Sequence, residues 1–413
     1  MKVLLIEQYQ GGHYDNYLGT LLPALKLSVD EIVVAAAPHV ARDSSALKNL
    51  DALPGAGRVT LWPGLPTVDS RLGLRDRLQA ARAMLGAVRV HKPDHTLVSS
   101  ADSQASGLAA GAVLGWRPLR GLGPIDAVFH SGFGSAGGDL PTMTKRVLYE
   151  RMQRHCGFDN PGFVSFLQYE SLIARSIFDP GRLHVVGDPV PQPQRIGRDA
   201  ACRLLGLDPD AFYIGLLGAL DTRKAVPELL AAFRAAALGP DHRLLLAGRL
   251  APRFRALIDG SYRDLRDAGR LIVLDRFLSE AELQHGYEAL DLSTPLYYRF
   301  PGLASLTLKA LAAGSRVLVD DFGWMGALVR RFGVGTAIRL QDPDDCASGL
   351  RAAVKASATT MAQEPLRRLL AFHSVENFTA LVLGHIWSRA GHRPGAPTFS
   401  WQWVCDSLAG ASS

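Results

Sequence analysis

The stretch that most constrains the fold of this chain runs from Leu290 to Asp321. A short strand end broken by a proline leads into a tight turn at 300–302, and Ser305 is then the expected cap of a helix. Leucine and alanine keep helical spacing up to Gly314, which is placed to end that helix. The apolar segment 316–320 predicts another strand. This order of elements predicts an α/β unit whose helix N-terminus favours an anionic ligand.

Units of this kind recur in every α/β domain, and most of their turns bind no ligand. Whether this turn binds one therefore has to be inferred from the rest of the chain. Residues 2–6 predict a buried parallel strand, and Gly11 and Gly12 follow it, where glycines let a ligand approach the main chain. Their spacing is not that of a nicotinamide-nucleotide fingerprint. In the segment 187–193, three prolines argue against a helix or central strand and favour a domain boundary.

The length of 413 residues is too great for one ordinary core. We therefore expect two doubly wound α/β domains, at 1–190 and 195–375, each built on a parallel sheet. The remaining residues, 376–413, are expected to form a helix and tail that return to the first domain. The segment 162–167 is predicted to be a further strand of the first sheet, and the Gly- and Pro-rich residues 54–64 are predicted to lie in a loop.

Basic residues and a histidine follow predicted strands, at the sheet edge where ligands bind in open α/β folds. His130 comes directly after the strand 125–129 and is a candidate acid, base or hydrogen-bond partner. The alternative is a histidine satisfied by nearby main chain. Arg223 and Lys224 follow the strand 212–217, and a lysine there suits phosphate while an arginine adds a forked contact. A plain surface pair is the alternative for these two.

Composition limits the partners. Forty-five Lys and Arg against 39 Asp and Glu give a net charge of +6, which suits a phosphorylated small molecule or an anionic membrane surface and only weakly favours nucleic acid. Glu7 and Gln8 end the first apolar run too early for an export signal, and no uncharged apolar run of about 18 residues occurs. We therefore expect a cytoplasmic protein. Peripheral contact of the arginine-rich helix 71–90 with the inner face of a membrane is a less favoured alternative.

Four sequence blocks carry a resemblance to a known family. They are 217–233, with its strand, loop and Lys224; 244–248; 277–283; and the turn and helix at 301–314, completed by 321–323. In these blocks the chain resembles the retaining glycosyltransferases of family four, which have the GT-B fold and move a sugar from a nucleotide-sugar donor. The likeness is strong in the second half of the chain and loose in the first.

The resemblance implies a GT-B fold, with two Rossmann-like domains facing a cleft and a C-terminal helix that crosses back. It implies a retaining hexosyltransferase of polysaccharide biosynthesis, acting from a nucleoside-diphosphate sugar on a glycan, lipid-linked or small-molecule acceptor. The first domain would hold the acceptor and the second the nucleotide sugar. No cofactor and no metal are expected. His130 would contact the transferred sugar as the catalytic residue, and the expected donor-binding residues are Gly11, Gly12, Arg223, Lys224, Gly302, Ser305 and Lys309.

The chain departs from the family pattern at two carboxylates. Pro301 and Lys309 stand where the family has a pair of glutamates, and Ala219 stands where a basic residue is usual. A catalytically inactive GT-B protein that binds a partner or glycan is therefore the second hypothesis. A sugar-nucleotide epimerase of similar shape is the third, and nucleotide-sugar hydrolysis measured with and without acceptor would separate the first two.

Overall fold

A computed structural model covers the 413 residues. It describes all of them except 10–11, 49, 68–73, 114–118, 131–156, 175–180, 182, 193, 303, 358–362, 393–397 and 410–413. Gly11 and the glycine-rich segment after His130 therefore lie outside the described residues. By its contacts the chain divides into two units: Met1–Pro189 with Phe372–Trp403, and Val190–Ala371 with Val404–Ser413.

Each unit contains one parallel sheet. In the described residues of the first, the strands lie in the order β3-β2-β1-β4-β5-β6-β7, and in the second they lie in the order β10-β9-β8-β11-β12-β13. The strands are β1 Lys2–Glu7, β2 Glu31–Ala36, β3 Arg58–Trp62, β4 His95–Val98, β5 Ile125–Phe129, β6 Asn160–Phe163, β7 His184–Val185, β8 Phe212–Leu217, β9 His242–Ala247, β10 Leu271–Leu274, β11 Leu292–Ser293, β12 Arg316–Asp320 and β13 Gly335–Ile338.

Helices connect these strands, as parallel sheets require. They are α1 Gly12–Ser28, α2 Pro38–Asp43, α3 Ser45–Lys48, α4 Leu74–His91, α5 Asp102–Val113, α6 Phe166–Ala174, α7 Arg198–Leu204, α8 Val226–Ala235, α9 Pro252–Ser261, α10 Arg263–Asp267, α11 Glu280–Ala289, α12 Ser305–Ala312, α13 Gly323–Phe332, α14 Pro343–Ser357, α15 Gln363–Phe372, α16 Val375–Ala390 and α17 Trp401–Ala409. None of the helices described combines the length and the apolar character needed to cross a membrane.

The central strands are buried on both faces, which is why their sequences are continuous apolar runs rather than alternating ones. In β1 the residues Val3–Ile6 have no exposed surface, and β8 is buried in the same way over 213–217. The helix α16 packs on α1 within the first unit. There the ring of Phe378 lies 4.8 Å from that of Tyr17, and the indole N–H of Trp387 donates to the hydroxyl of Ser28 at 3.1 Å.

Two local predictions are wrong. The strand predicted at 162–167 ends at Phe163, because Ser165 begins a helix: its carbonyl accepts from the N–H of Tyr169 at 3.1 Å, one residue before the first full turn of α6. The segment predicted as a loop at 54–64 contains β3, an outer strand of the first sheet. Its residues are only partly buried, so the sequence shows no continuous apolar run there.

Candidate functional site

The loop that follows β8 is shaped by glycines and pinned to a neighbouring segment. Gly218 has a φ of +85°, in the left-handed region that favours glycine, and a Cβ at Gly248 would lie 2.0 Å from the Gly218 carbonyl oxygen. The N–H of Lys224 donates to the carbonyl of Asp221 at 3.1 Å, closing a turn. An isolated antiparallel bridge then pairs Lys224 with Tyr297. The lysine is thus fixed at the carboxyl end of the central strand.

The side chain of Lys224 turns back into this loop. It is 2% exposed, and its ammonium donates to the carbonyl of Leu217, the last residue of β8. The ring centroid of Tyr297 lies 5.5 Å from Nζ, within the range of a cation–π contact. Burial lowers the pKa of Lys224 from 10.5 to about 7, although the carboxylate of Asp221 acts in the opposite direction. Lys224 is therefore a buried amine, and a bound anion would raise its pKa and favour its protonated form.

Arg223 takes a different role from its neighbour. Its side chain is 73% exposed and forms a forked pair with Asp221, with Nε 3.1 Å from Oδ1 and Nη2 2.7 Å from Oδ2. Burial opposes the ionisation of Asp221, but the hydrogen bonds from Arg223 outweigh it and lower the pKa of that carboxyl. Arg223 is thus already paired, and an anionic ligand would have to share it with this carboxylate.

The start of α12 differs from the sequence prediction. Ser305 was expected to cap the helix, but it is already the first helical residue, and the cap position belongs to Ala304, whose extended backbone (φ −96°, ψ 111°) precedes the helix. Alanine has no side-chain acceptor, so no side chain caps the first N–H groups of α12. Gly302 lies just before, buried, where a Cβ would meet the ring of Phe300 at 3.3 Å.

Lys224 and the first turn of α12 border the same space. A Cβ built on Gly218 would lie 3.4 Å from Nζ of Lys224 and 3.5 Å from Cδ1 of Leu306. The structure therefore brings together, within the second unit, a buried amine, a glycine with no side chain and the positive end of a helix. Such an arrangement can hold a phosphate group.

Lys309 lies one turn further along α12 and is engaged elsewhere. Its ammonium forms an ion pair with Glu280 at the start of α11, and its side chain is 12% exposed. The helix α11 begins with the predicted capping box, in which Ser279 and Glu282 bond to each other's main-chain N–H. Lys309 is thus balanced by a carboxylate from an element 29 residues away in the chain.

In the first unit, His130 lies where the sequence placed it, directly after β5. Its Nε2–H donates to the carbonyl of Ser99 at 2.8 Å, and its main-chain N–H donates to Oδ2 of Asp102 at 3.0 Å. The ring is half-buried against Tyr17, with 5.0 Å between centroids. One ring nitrogen therefore bonds to main chain, as the alternative interpretation of this histidine required. Gly12 is the first residue of α1.

The same unit contains a buried acid that was not expected from the sequence. Glu7, the last residue of β1, has no exposed surface, and its carboxylate accepts hydrogen bonds from Ser99 and Ser100 beside His130. Burial raises the pKa of Glu7 from 4.5 to about 7, against the opposing effect of these hydrogen bonds. An acidic residue that ends an apolar strand is the sequence signal that could have indicated this role, but Glu7 was interpreted only as evidence against an export signal. Among the described residues, no three His, Cys, Asp or Glu are grouped to hold a metal ion.

Comparison with known proteins relates the chain to glycosyltransferases. No family model matches it. The D-inositol 3-phosphate glycosyltransferase of Mycolicibacterium gilvum is 29% identical over 232 residues, which is 54% of this chain and 51% of that protein. The match thus spans about half the length of this curated relative.

Solved structures match nearly the whole chain at low identity. Sucrose-phosphate synthase from Thermosynechococcus elongatus superposes with a TM-score of 0.65 at 17% identity, covering 94% of this chain and 98% of that one. Anabaena HepE in complex with UDP superposes with a TM-score of 0.59 at 15% identity, covering 100% and 99%. A proposed UDP-N-acetylglucosamine 2-epimerase from Listeria monocytogenes has a TM-score of 0.58 at 14% identity, covering 96% and 98%. The resemblance drawn from the sequence is confirmed: the chain has the α/β architecture of the GT-B glycosyltransferases, and about half of it is related in sequence to one of them.

Proposed function

We propose that the protein is a glycosyltransferase that moves a sugar from a nucleoside-diphosphate donor to an acceptor. The observation that carries this proposal is the buried amine of Lys224 beside Gly218 and the first turn of α12. When the bond between sugar and diphosphate breaks, negative charge grows on the diphosphate. A preorganised cation and a helix N-terminus stabilise that charge most where water is excluded. Lys224 is 2% exposed, so it meets this condition.

The finer assignments follow from the resemblance and belong to this proposal. Residues 195–375 would bind the nucleotide sugar, and residues 1–190 would bind the acceptor, with His130 touching the transferred sugar. Transfer would retain the configuration of a hexose. HepE was solved with UDP and with UDP-glucose, so UDP and UDP-glucose are the first probes to use.

A thermal-shift and titration series tests the donor site. We expect UDP to stabilise the protein, by about 2.7 kcal/mol at 100 times its Kd. Lys224→Ala should weaken UDP binding by about 2–3 kcal/mol, and Arg223→Ala should cost less because Arg223 is exposed and paired with Asp221. Equal UDP affinity in wild type and Lys224→Ala would remove this site from the proposal.

A catalytically inactive binding protein is the second candidate, and a specific observation favours it. Pro301 and Lys309 replace both family glutamates, and the ammonium of Lys309 is held by Glu280. Release of UDP from UDP-glucose, followed with and without an acceptor mixture, separates the two functions. UDP release that rises with acceptor supports transfer; binding without release supports the inactive protein; conversion of UDP-N-acetylglucosamine into its epimer would support the epimerase.

We also propose that the protein works in the cytoplasm and touches the membrane through α4. Arg75, Arg82 and Arg89 are exposed and seven residues apart, so they share one face of the helix. Arg77, by contrast, turns inward and donates to the hydroxyl of Ser106 at 3.1 Å. We expect sedimentation with vesicles containing phosphatidylglycerol but not with phosphatidylcholine vesicles, and loss of binding when these three arginines become glutamine. Equal sedimentation with both vesicles would exclude this contact.

A further inference from the structure

We propose that Glu7 is a positioning residue, which orients His130 through Ser99. This inference rests on the proposed function, because it assigns a role within the same reaction. The three residues come from the carboxyl ends of three adjacent strands, β1, β4 and β5, which lie side by side in the first sheet. Ligands of open α/β sheets bind at this edge.

Glu7 is fully buried and held by three donors. Oε1 accepts from the N–H of Tyr9 at 2.8 Å, and Oε2 accepts from the hydroxyls of Ser99 at 2.8 Å and Ser100 at 2.9 Å. A buried carboxylate is costly unless it is hydrogen-bonded, and an amide or apolar side chain would fill the same space at lower cost. The presence of an acid at this buried position therefore points to a role beyond packing.

Ser99 links this acid to the histidine. Its hydroxyl lies between two acceptors, Oε2 of Glu7 and the carbonyl of Ile6 at 2.9 Å, while its own carbonyl accepts from Nε2–H of His130 at 2.8 Å. A change at Glu7 can thus move the carbonyl that fixes the histidine ring. The bond also sets the tautomer, because a carbonyl only accepts and Nε2 must carry the proton.

The protonation of Glu7 sets the direction of the hydrogen bonds at Ser99. An ionised Glu7 competes with the Ile6 carbonyl for the single O–H of Ser99, whereas a protonated Glu7 can donate to Ser99 Oγ and leave that O–H to the Ile6 carbonyl. With the pKa of Glu7 raised by burial to about 7, the change falls at neutral pH. Its titratable neighbour is Tyr9, which in turn interacts with Asp102 on α5 and Arg77 on α4, and His130 is linked to it through Ser99.

Nuclear magnetic resonance of the histidine ring nitrogens tests the inference without requiring activity. We expect the Nε2 signal of His130 in the full chain to shift near pH 7, where Glu7 titrates, and Glu7→Gln to remove that shift and to displace the signal itself. Ser99→Ala should shift the same signal. Ser100→Ala is the matched control: its hydroxyl makes the same contact with Glu7, but the histidine bonds to the carbonyl of Ser99. It should leave the His130 signal within error.

Activity provides the second readout. The rate constant kcat of Glu7→Gln should be about ten- to a hundredfold lower than that of wild type, with little change in KM for the donor. The wild-type kcat should rise as pH increases through 7, and this rise should be absent in Glu7→Gln. Glu7→Asp should restore part of both. Identical His130 signals and pH dependence in wild type and Glu7→Gln would overturn the inference even if transfer is observed. Failure of the proposed function gives a different result. Neither the wild type nor any variant would then release UDP from UDP-glucose, but the resonance shifts of His130 would still be observed.

Discussion

Replacing Lys224 by methionine should stabilise the protein and at the same time remove most of its affinity for a diphosphate. The substitution keeps the length and apolar character of the side chain and removes the amine. Few residues combine these two effects, since most ligand-binding groups are exposed and cost little stability. Lys224 differs because it is 2% exposed and has its pKa lowered to about 7.

The magnitude follows from linkage. An unfolded lysine keeps its ordinary pKa of 10.5, so between about pH 7 and 10.5 the unfolded chain binds a proton that the folded chain does not, and stability rises with pH. Below pH 7 both states are protonated, and the whole penalty of burying the charge is present. A shift of this size corresponds to about 5 kcal/mol, from which the lost hydrogen bond to the Leu217 carbonyl subtracts about 1–3 kcal/mol. We therefore expect Lys224→Met to gain about 2–4 kcal/mol at pH 6 and to lose this advantage towards pH 10.

Binding should be coupled to proton uptake for the same reason. At pH 8 Lys224 is mostly neutral in the free protein, and a diphosphate favours its charged form, so UDP should bind with uptake of about one proton. Calorimetric titration with UDP in two buffers of different ionisation enthalpy measures this number directly. In Lys224→Met the uptake should vanish together with most of the affinity.

Lys26→Met provides a matched control. Lys26 is also buried, and its ammonium donates to the carbonyls of Leu50 at 3.0 Å and Leu53 at 2.7 Å, but it lies in the first unit. Its loss should leave UDP affinity and proton uptake unchanged. Two results would contradict the interpretation of Lys224 as a buried amine that binds the diphosphate. One is a loss of stability in Lys224→Met at both pH 6 and pH 10, and the other is binding of UDP by wild type without proton uptake at pH 8.

Two further predictions concern ion pairs. Lys309→Glu should weaken UDP binding, because it sets two carboxylates face to face at Glu280, whereas Glu280→Gln should preserve binding; tighter binding of UDP by Lys309→Glu in calorimetry would show that its role is wrongly assigned. The contact with Asp126, whose Oδ1 lies 3.5 Å from Nδ1, raises the pKa of His385 above 6.5, so the pair stabilises the fold below pH 6.5 and its contribution is lost as pH rises through the raised pKa. Because His385 is 55% exposed, His385→Gln should cost less than about 1 kcal/mol at pH 6 and almost nothing at pH 9 in urea unfolding, with His392→Gln as control; equal losses at both pH values would contradict this.

The strands that the sequence predicts best are those buried on both faces. β5, β8 and β12 begin and end at the predicted residues, and nearly all of their residues are buried. Two of the outer strands, β3 and β13, were missed, because a partly exposed strand needs no apolar run and both contain or adjoin glycine. A buried strand requires apolar residues, which the sequence shows. Main-chain pairing at the edge of a sheet requires no particular residue type, so the sequence does not reveal it.

In the candidate site, too, some features could be predicted from the sequence and others could not. The position of Lys224 could be predicted, since it depends on the local order of strand, glycine and helix. Its inward turn towards the carbonyl of Leu217 could not, because composition does not tell whether a lysine is solvated or buried. The partner of Lys309 was equally hidden, as Glu280 lies 29 residues earlier and meets it only through the packing of α11 on α12.

The ion pair between Lys309 and Glu280 changes what the missing glutamates mean. A family carboxylate at that position accepts hydrogen bonds from ribose hydroxyls, and an ammonium can only donate. Because Glu280 neutralises this ammonium, the substitution does not simply add positive charge to the site. Donor affinity would then depend mainly on the diphosphate, through Lys224 and the first turn of α12, where Ala304 leaves the helix start without a side-chain cap. The same contacts would act on the charge that grows during transfer, so a chain can lack both family glutamates and still keep the groups that promote bond cleavage.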